Sequence, residues 1–275
     1  MTQGLAVAAH PLMRDLTGGL VASLAQSLWL ADDYAKADLL VLPGRSGWCG
    51  LATEAIESGI RRIMVIDPGP ENITPIGDLA LRVRSHDAML VLSESFADNP
   101  GVAPFHAALD GPMTFLSLTA YAACSVEDRA ARFEQLRLAR ALGISEIAFT
   151  DAQTGRGSTM ALGTGLRARK DVMLRMTALA TSGLSARHCV SAFADDILAS
   201  LIIYPADCAR PSEGSVTTPA HRLHLPTIFE TPHRATLRRL LAGKEASRSL
   251  ADFEADVRLL DALEGRLFDR MEKAW

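Results

Sequence analysis

The sequence predicts an α/β protein in which a Rossmann-like parallel sheet is followed by an α+β domain with an open antiparallel sheet. Two observations predict this. Through the first 118 residues, short continuous apolar runs alternate with stretches of helical period, the pattern of βαβ units whose strands are covered on both faces. Beyond residue 143, strand-like runs follow one another with few helices between them, as in an antiparallel sheet. The expected domains are a Rossmann-like domain over 1–118 and a C-terminal domain with terminal helices over 119–275.

Each element has a local reason. Gly4-Leu-Ala-Val-Ala-Ala9 reads as a buried strand, followed by His10-Pro11 and a helix over 16–27. Leu28-Trp-Leu-Ala31 is a second strand closed by Asp32-Asp33, and Ala37-Asp-Leu-Leu-Val-Leu42 is a third, ending in Pro43-Gly44-Arg45-Ser46-Gly47. A helix over 51–58 stops at Gly59, Ile63-Met-Val-Ile66 is a strand ending at Asp67-Pro68-Gly69-Pro70, and residues 74–85 are helical. Ala88-Met-Leu-Val-Leu92 and Met113-Thr-Phe-Leu-Ser-Leu-Thr119 complete the parallel sheet. Ser125 with Asp128 opens a long helix that runs to Gly143. Strands follow over 144–150, 158–166, 172–181 and 188–204, the last with a turn at Asp195-Asp196. Residues 205–232, rich in Pro, Ser and Thr, are expected to form a surface loop, and 233–241 and 250–272 are helical.

Composition removes several classes of function. A net charge of -4 and a pI near 6.0 argue against the clustered basic face that a nucleic-acid partner requires. Cationic groups are mostly arginines spread along helices; Lys36, Lys170, Lys244 and Lys273 are the only lysines. Cys49, Cys124, Cys189 and Cys208 form no C-x-x-C pair and are expected to be reduced and mostly buried. None of the seven histidines has the i, i+4 partner or neighbouring carboxylate that would make a metal pair, so no metal site is expected, and no G-x-S-x-G elbow is present. Residues 16–30 are apolar but interrupted by Gly, Ser and Gln, short of the ~20 apolar residues of a membrane span. The expectation is a cytoplasmic protein with no membrane partner.

A dinucleotide fold carries G-x-G-x-x-G in the turn after its first strand, so that the backbone closes tightly and approaches the pyrophosphate. Here that turn reads Ala8-Ala9-His10-Pro11-Leu12-Met13, where Leu12 or Met13 fills the space of the phosphates and Pro11 lacks an amide to bind them. Asp32 stands where a carboxylate would meet a ribose, with ordinary surface capping as the alternative. Gly44-Arg45-Ser46-Gly47-Trp48-Cys49-Gly50 lies between a strand and a helix and is either a phosphate-binding turn or a tight structural one; its spacing fits neither the dinucleotide fingerprint nor the P-loop. His221-Arg222-Leu-His224 is likewise an anion site or a solvated loop. Ligands of open α/β sheets bind at the carboxyl ends of the strands, which places residues 43–47 and 67–70 on the rim. The candidate cofactor-binding residues are Asp32, Pro43, Gly44, Arg45, Ser46, Asp67 and Pro68; no catalytic residue is assigned.

Through most of the chain the order of elements resembles the Gfo/Idh/MocA family of NAD(P)-dependent sugar and cyclitol oxidoreductases. Asp38-Leu-Leu-Val-Leu-Pro43 resembles the family strand that ends in a Thr-Pro-type turn, and Ala52-Thr-Glu-Ala-Ile-Glu-Ser-Gly59 the helix after it. Arg62-Ile-Met-Val-Ile-Asp67-Pro68 resembles the strand ending in Glu-Lys-Pro, Phe96-Ala-Asp-Asn-Pro100 the Arg-Phe-x-Pro turn, and Leu142-Gly143 the end of the catalytic helix. The resemblance implies NAD or NADP as cofactor, a small polar, sugar- or cyclitol-like substrate, and a homo-oligomer paired through the open sheet. The departures fall on functional positions. With Ile66-Asp67-Pro68 as the equivalent triplet, Asp67 replaces the motif Lys, and, counting back from Leu142-Gly143, the family's His-x-x-Asp acid/base pair falls near Phe133 and Leu136, with Arg132, Glu134 and Gln135 close by. An alternative register puts Glu94-Ser95 at the Glu-Lys position, still without a Lys. Standard hydride transfer is therefore not expected of this chain by itself. Two expectations remain: an oxidoreductase with altered chemistry, or a non-catalytic subunit that binds a small ligand or pairs with an intact dehydrogenase.

Overall fold

A computed structural model describes residues 4–109, 111, 113–122, 128–208, 210–243 and 249–273. The chain divides into two compact units, Met1–Glu94 with Pro232–Ala255, and Ser95–Thr231 with Asp256–Trp275.

The first unit is built on a parallel sheet of β1 (Leu5–Ala9), β2 (Leu28–Leu30), β3 (Leu39–Pro43), β4 (Arg62–Ile66) and β5 (Met89–Ser93), in the order β2-β1-β3-β4-β5. β3 is buried at every position and β4 everywhere but Arg62, which is why these strands read as unbroken apolar runs. Their connections are α1 (Arg14–Ala22), α2 (Trp48–Glu57) and α3 (Ile73–Ser85). α1 ends sooner than expected because residues 23–27 leave the helix in turns, with the Ser23 hydroxyl donating back to the Leu20 carbonyl at 2.7 Å and Ser27 N–H to Leu24 at 2.8 Å. α2 starts sooner than expected, at the fully buried Trp48, whose indole N–H donates to the Gly69 carbonyl at 3.0 Å and whose ring meets Phe253 edge-on, 5.4 Å between centroids. A C-terminal helix, α6 (Pro232–Leu241), adds Leu237 and Leu240 to the core formed by Val7, Val41, Met64 and Val91.

The second unit holds an eight-stranded sheet of β6 (Phe115–Ala122), β7 (Ser145–Gly155), β8 (Ser158–Arg167), β9 (Lys170–Ala180), β10 (Arg187–Phe193), β11 (Leu198–Ile203), β12 (Glu213–Thr217) and β13 (Arg222–His224). Its order is β13-β12-β11-β10-β6-β9-β8-β7, antiparallel throughout except for the parallel pair β6 and β9. β6 corrects the expectation that 113–119 completes the parallel sheet. All eight of its residues pair with β9 or β10, and the expected boundary at 118/119 falls inside it. Phe115, Thr119 and Tyr121 are only half-buried, so the strand has one covered face, a property its apolar sequence hides.

Residues 205–232 are not all loop. β12 and β13 extend the sheet there, and the exposed β13 carries no apolar signal because it is a short edge strand with nothing packed on it. It contains Arg222 and His224, so the stretch read as an anion site or a solvated loop is partly strand. α4 (Val102–Ala108) was not expected; at seven residues, with Pro104 inside, it shows too little period to be read.

α5 (Asp128–Ala141) lies against β6 and β9, and α7 (Leu250–Lys273) belongs to the second unit from Asp256 onward. The helices are tied by ion pairs: Asp256 accepts from Arg137 at 2.9 Å and Arg140 at 2.8 Å, and Glu264 accepts from Arg129 and Arg132. The Ser125 cap expected for α5 and Cys124 lie outside the described residues. On the opposite face of the sheet, register aligns Met173, Phe115, Phe193 and Leu198 in one row across β9, β6, β10 and β11. Met173, Phe193 and Leu198 are exposed there. No helix among the described residues is long and apolar enough to cross a membrane.

Candidate functional site

The turn after β1 is closed by its own groups. His10 N–H donates to Val41 O at 2.9 Å, Leu12 N–H to His10 Nδ1 at 3.3 Å, Met13 N–H to His10 O at 2.7 Å and Arg14 N–H to Pro11 O, while Pro11 has no N–H. Pyrophosphate recognition at this point of an α/β sheet needs backbone amides aimed at the ligand. Here every amide from 10 to 14 is engaged or missing. Met13 is packed into the core, Leu12 is 62% exposed at the mouth of the turn, and the Tyr34 hydroxyl donates to the carbonyl of Ala9 at 3.1 Å. The residues present do not fit the pyrophosphate of NAD or NADP.

The second and third rim turns lock onto each other. Gly44 N–H donates to Ile66 O and Gly69 N–H to Gly44 O, both at 2.7 Å, and Asp67 N–H donates to Ser93 O at 2.8 Å. A Cβ at position 44 would lie 2.3 Å from the Asp67 carbonyl oxygen and 2.4 Å from Pro68 Cα. Gly44 is therefore explained by backbone meeting backbone, the structural alternative for this turn. Pro43, Gly44 and Pro68 are buried, Arg45 and Ser46 are exposed where α2 begins, and Asp67 faces solvent. The structure thus brings Pro43, Gly44, Asp67 and Pro68 together. Asp32 sits in the exposed loop after β2, three strands from β4 in the sheet order, or roughly 14 Å away at the usual strand spacing.

Asp67 is the centre of a cluster that no local pattern announces. Its φ of 49° holds a non-glycine residue in the left-handed region. His233, on the first turn of α6 and 3% exposed, places Nε2 3.5 Å from Asp67 Oδ2 and Nδ1 2.9 Å from the hydroxyl of the fully buried Ser93. The longer distance is electrostatic contact more than a hydrogen bond. With Nδ1 accepting from Ser93, the Nε2 proton points at Asp67, whose half-exposed carboxylate is the member of the cluster that reaches solvent. Such a carboxylate can accept a proton or bind a hydroxyl. Asp67 and His233 meet only through the fold.

Cys49 stands close to this rim but is inert. Burial raises its thiol pKa strongly and Glu71 pushes the same way, so no thiolate is available. Cys189 is half-buried, with burial raising its thiol above the partly offsetting effect of Arg187. Cys208 is exposed, which departs from the expectation of mostly buried cysteines.

In the second unit, Phe133 and Leu136 are in the core, and neither side chain carries a transferable proton. Beside them Glu134 accepts from Nε2 of the buried His188 on β10 at 2.9 Å, and the His188 ring lies 4.0 Å from that of Phe96. Its Nδ1 has no hydrogen-bond partner among the described residues. This is a second carboxylate–histidine contact made between distant segments. No group of three potential metal ligands occurs among the described residues.

No protein-family model matches the chain, and no curated protein matches it. Solved structures do. A UDP-N-acetylglucosamine 3-dehydrogenase from Acidithiobacillus ferrooxidans superposes with a TM-score of 0.74 at 11% identity, over 97% of this chain and 98% of that one. KijD10, a 3-ketoreductase from Actinomadura kijaniata in complex with NADP and TDP-benzene, gives 0.70 at 11% identity over 96% and 98%. An oxidoreductase from Agrobacterium radiobacter in complex with NAD+, L-tartaric acid and magnesium gives 0.71 at 12% identity over 96% and 96%. The chain has the fold of the Gfo/Idh/MocA-type oxidoreductases. Its two sheets are the five-stranded parallel sheet and the mixed, mostly antiparallel eight-stranded sheet.

Proposed function

We propose that the chain uses the oxidoreductase fold to bind a small polar, sugar- or cyclitol-like ligand and does not itself transfer a hydride to or from NAD or NADP. The closed turn at 10–14 carries this conclusion: the amides that would hold a pyrophosphate already have partners, and Leu12 stands in their path. Asp67 adds a negative charge at the same rim, which disfavours a polyanionic cofactor. L-tartaric acid, crystallised with one structural neighbour, supports a small polar ligand class. The exposed apolar row on the open sheet supports subunit pairing through that face, with a second copy or with an intact dehydrogenase, in the cytoplasm.

A thermal-shift series with NAD+, NADH, NADP+ and NADPH tests this. A cofactor at 100 times its Kd would add about 2.7 kcal/mol of stability. No shift is expected from any of the four, and a saturable shift overturns the proposal.

The Asp67, His233 and Ser93 cluster favours a second reading, an enzyme of altered chemistry in which Asp67 accepts the proton and His233 positions it. In that case Asp67→Asn abolishes turnover of a sugar or cyclitol substrate while its binding persists. Unchanged turnover refutes the role.

A further inference from the structure

We infer that Glu134 is a ligand-binding carboxylate of the second unit, held in position by His188, and that it takes a hydroxyl of a small polyol. Glu134, His188 and Phe96 all belong to that unit. The ligand class rests on the sugar- or cyclitol-like reading proposed above; the site depends neither on the Asp67 cluster nor on the absence of nicotinamide binding.

From residue 131 to residue 139, α5 is buried at every position except Glu134, whose side chain is 41% exposed. Helical side chains lean toward the turn N-terminal to their own Cα. The residue four positions before Glu134 is the exposed Ala130, too small to cover a carboxylate. A glutamate at the one open position of such a stretch would by itself be an ordinary solvated group. Its partner makes the difference.

His188 on β10 is 3% exposed and donates from Nε2 to Glu134 Oε2 at 2.9 Å. Its ring lies 4.0 Å from that of Phe96, and Ala120 and Ile203 are its neighbours in the sheet register. Burying an imidazole costs free energy, and here Nδ1 is buried without a hydrogen-bond partner among the described residues. Where stability alone is at stake, an apolar residue in this surrounding serves as well or better. What the arrangement achieves is a fixed carboxylate. Oε2 is held by the buried ring, while Oε1 has no hydrogen-bond partner among the described residues and is open to a ligand. A carboxylate only accepts, so the group that suits it is a donor such as a hydroxyl. Hydrogen bonds to a charged acceptor are roughly twice as strong as neutral ones, and an acceptor already oriented loses less freedom on binding.

Calorimetry on the full chain, with myo-inositol and D-glucose as probes and succinate as an anionic comparison, tests it. Saturable binding of a polyol is expected, weakened about tenfold by Glu134→Gln, which keeps the shape and the bond to His188 but removes the charge. His188→Phe should weaken it about fivefold, and His188→Gln, whose amide still donates to the carboxylate, should restore most of the loss. In the Glu134→Gln background His188→Phe should cost nothing further, a coupling in ligand affinity that a merely structural pair would not show. Asp171→Asn, the same charge change at an exposed residue of β9, should leave binding intact. Thermal unfolding establishes that each variant folds. If His188→Phe does not, the wild-type His188 ring signals in proton NMR take its place, and they should move on myo-inositol addition with the midpoint found by calorimetry. No saturable binding of either polyol up to about 10 mM refutes the polyol reading, and the ligand of this site with it. Polyol binding that Glu134→Gln leaves unchanged refutes the site while that reading stands. Tighter binding of succinate overturns the ligand class, and a His188→Phe effect confined to Tm refutes the positioning role.

Discussion

Replacing Gly44 with alanine should destabilise the parallel-sheet unit, and the size of the effect follows from the contacts of the missing Cβ. That atom would lie 2.3 Å from the Asp67 carbonyl oxygen and 2.4 Å from both the Asp67 carbonyl carbon and Pro68 Cα. Non-bonded carbons rest ~3.5–4.0 Å apart, so the two turns must separate by roughly 1 Å or more. Both obstructing groups are backbone and cannot rotate aside. The separation breaks or lengthens the two 2.7 Å bonds that join the turns, Gly44 N–H to Ile66 O and Gly69 N–H to Gly44 O. Each is worth about 1 kcal/mol, and overpacking adds about 1–3 kcal/mol. The total is about 3–5 kcal/mol, a fall in Tm on the order of 10 °C for a chain of this size. Thermal unfolding followed by circular dichroism measures it. A Gly44→Ala protein that melts within about 2 °C of wild type but loses a phosphate-bearing ligand would refute the structural explanation and restore the phosphate-cradle alternative.

Three other predictions concern stability and assembly. Asp256→Ala removes the fully buried carboxylate that faces Arg137 and Arg140, and should cost about 3–5 kcal/mol in urea unfolding; a loss under about 1 kcal/mol would contradict the role given to that ion pair. His106 has its pKa lowered from 6.5 in the folded protein, so the unfolded chain binds that proton more readily and stability is lost as pH falls below 6.5. His106→Gln should flatten the pH dependence of Tm in that acid window, and an unaltered slope would count against it. Finally, Met173→Asp with Phe193→Asp places charge in the exposed apolar row, and light scattering should show the wild-type oligomer shifted toward monomer. A wild type that is already monomeric refutes pairing through this face.

The parallel sheet was legible because its strands are continuous apolar runs: β1 to β5 all lie within a residue or two of them, through burial on both faces in β3 and β4, and in β2 although Trp29 and Leu30 are exposed. β6 has an equally apolar sequence and was assigned to the wrong sheet, since an apolar run does not say which neighbours it pairs with. β12 and β13 carry no such mark for the opposite reason, being short and polar, with β13 alone at the edge. At the site, the closed β1 turn was visible in Pro11 and Leu12, and the role of Gly44 in the turn could be stated as an alternative. What sequence could not supply was long-range pairing. His233 meets Asp67 and Ser93, and His188 meets Glu134, across separations that no spacing rule covers. Proline before His233, at the opening of α6, was the nearest thing to a local signal.

The central claim is that the groups at residues 10–14 leave no place for a nicotinamide dinucleotide. Titration of the purified chain with NADH and NADPH, followed by cofactor fluorescence, tests it most directly. The structure predicts no saturable change up to about 1 mM, a concentration at which even a site worth only ~4 kcal/mol would be half filled. Saturation in the micromolar range, with Leu12→Gly leaving it unchanged, would contradict the claim.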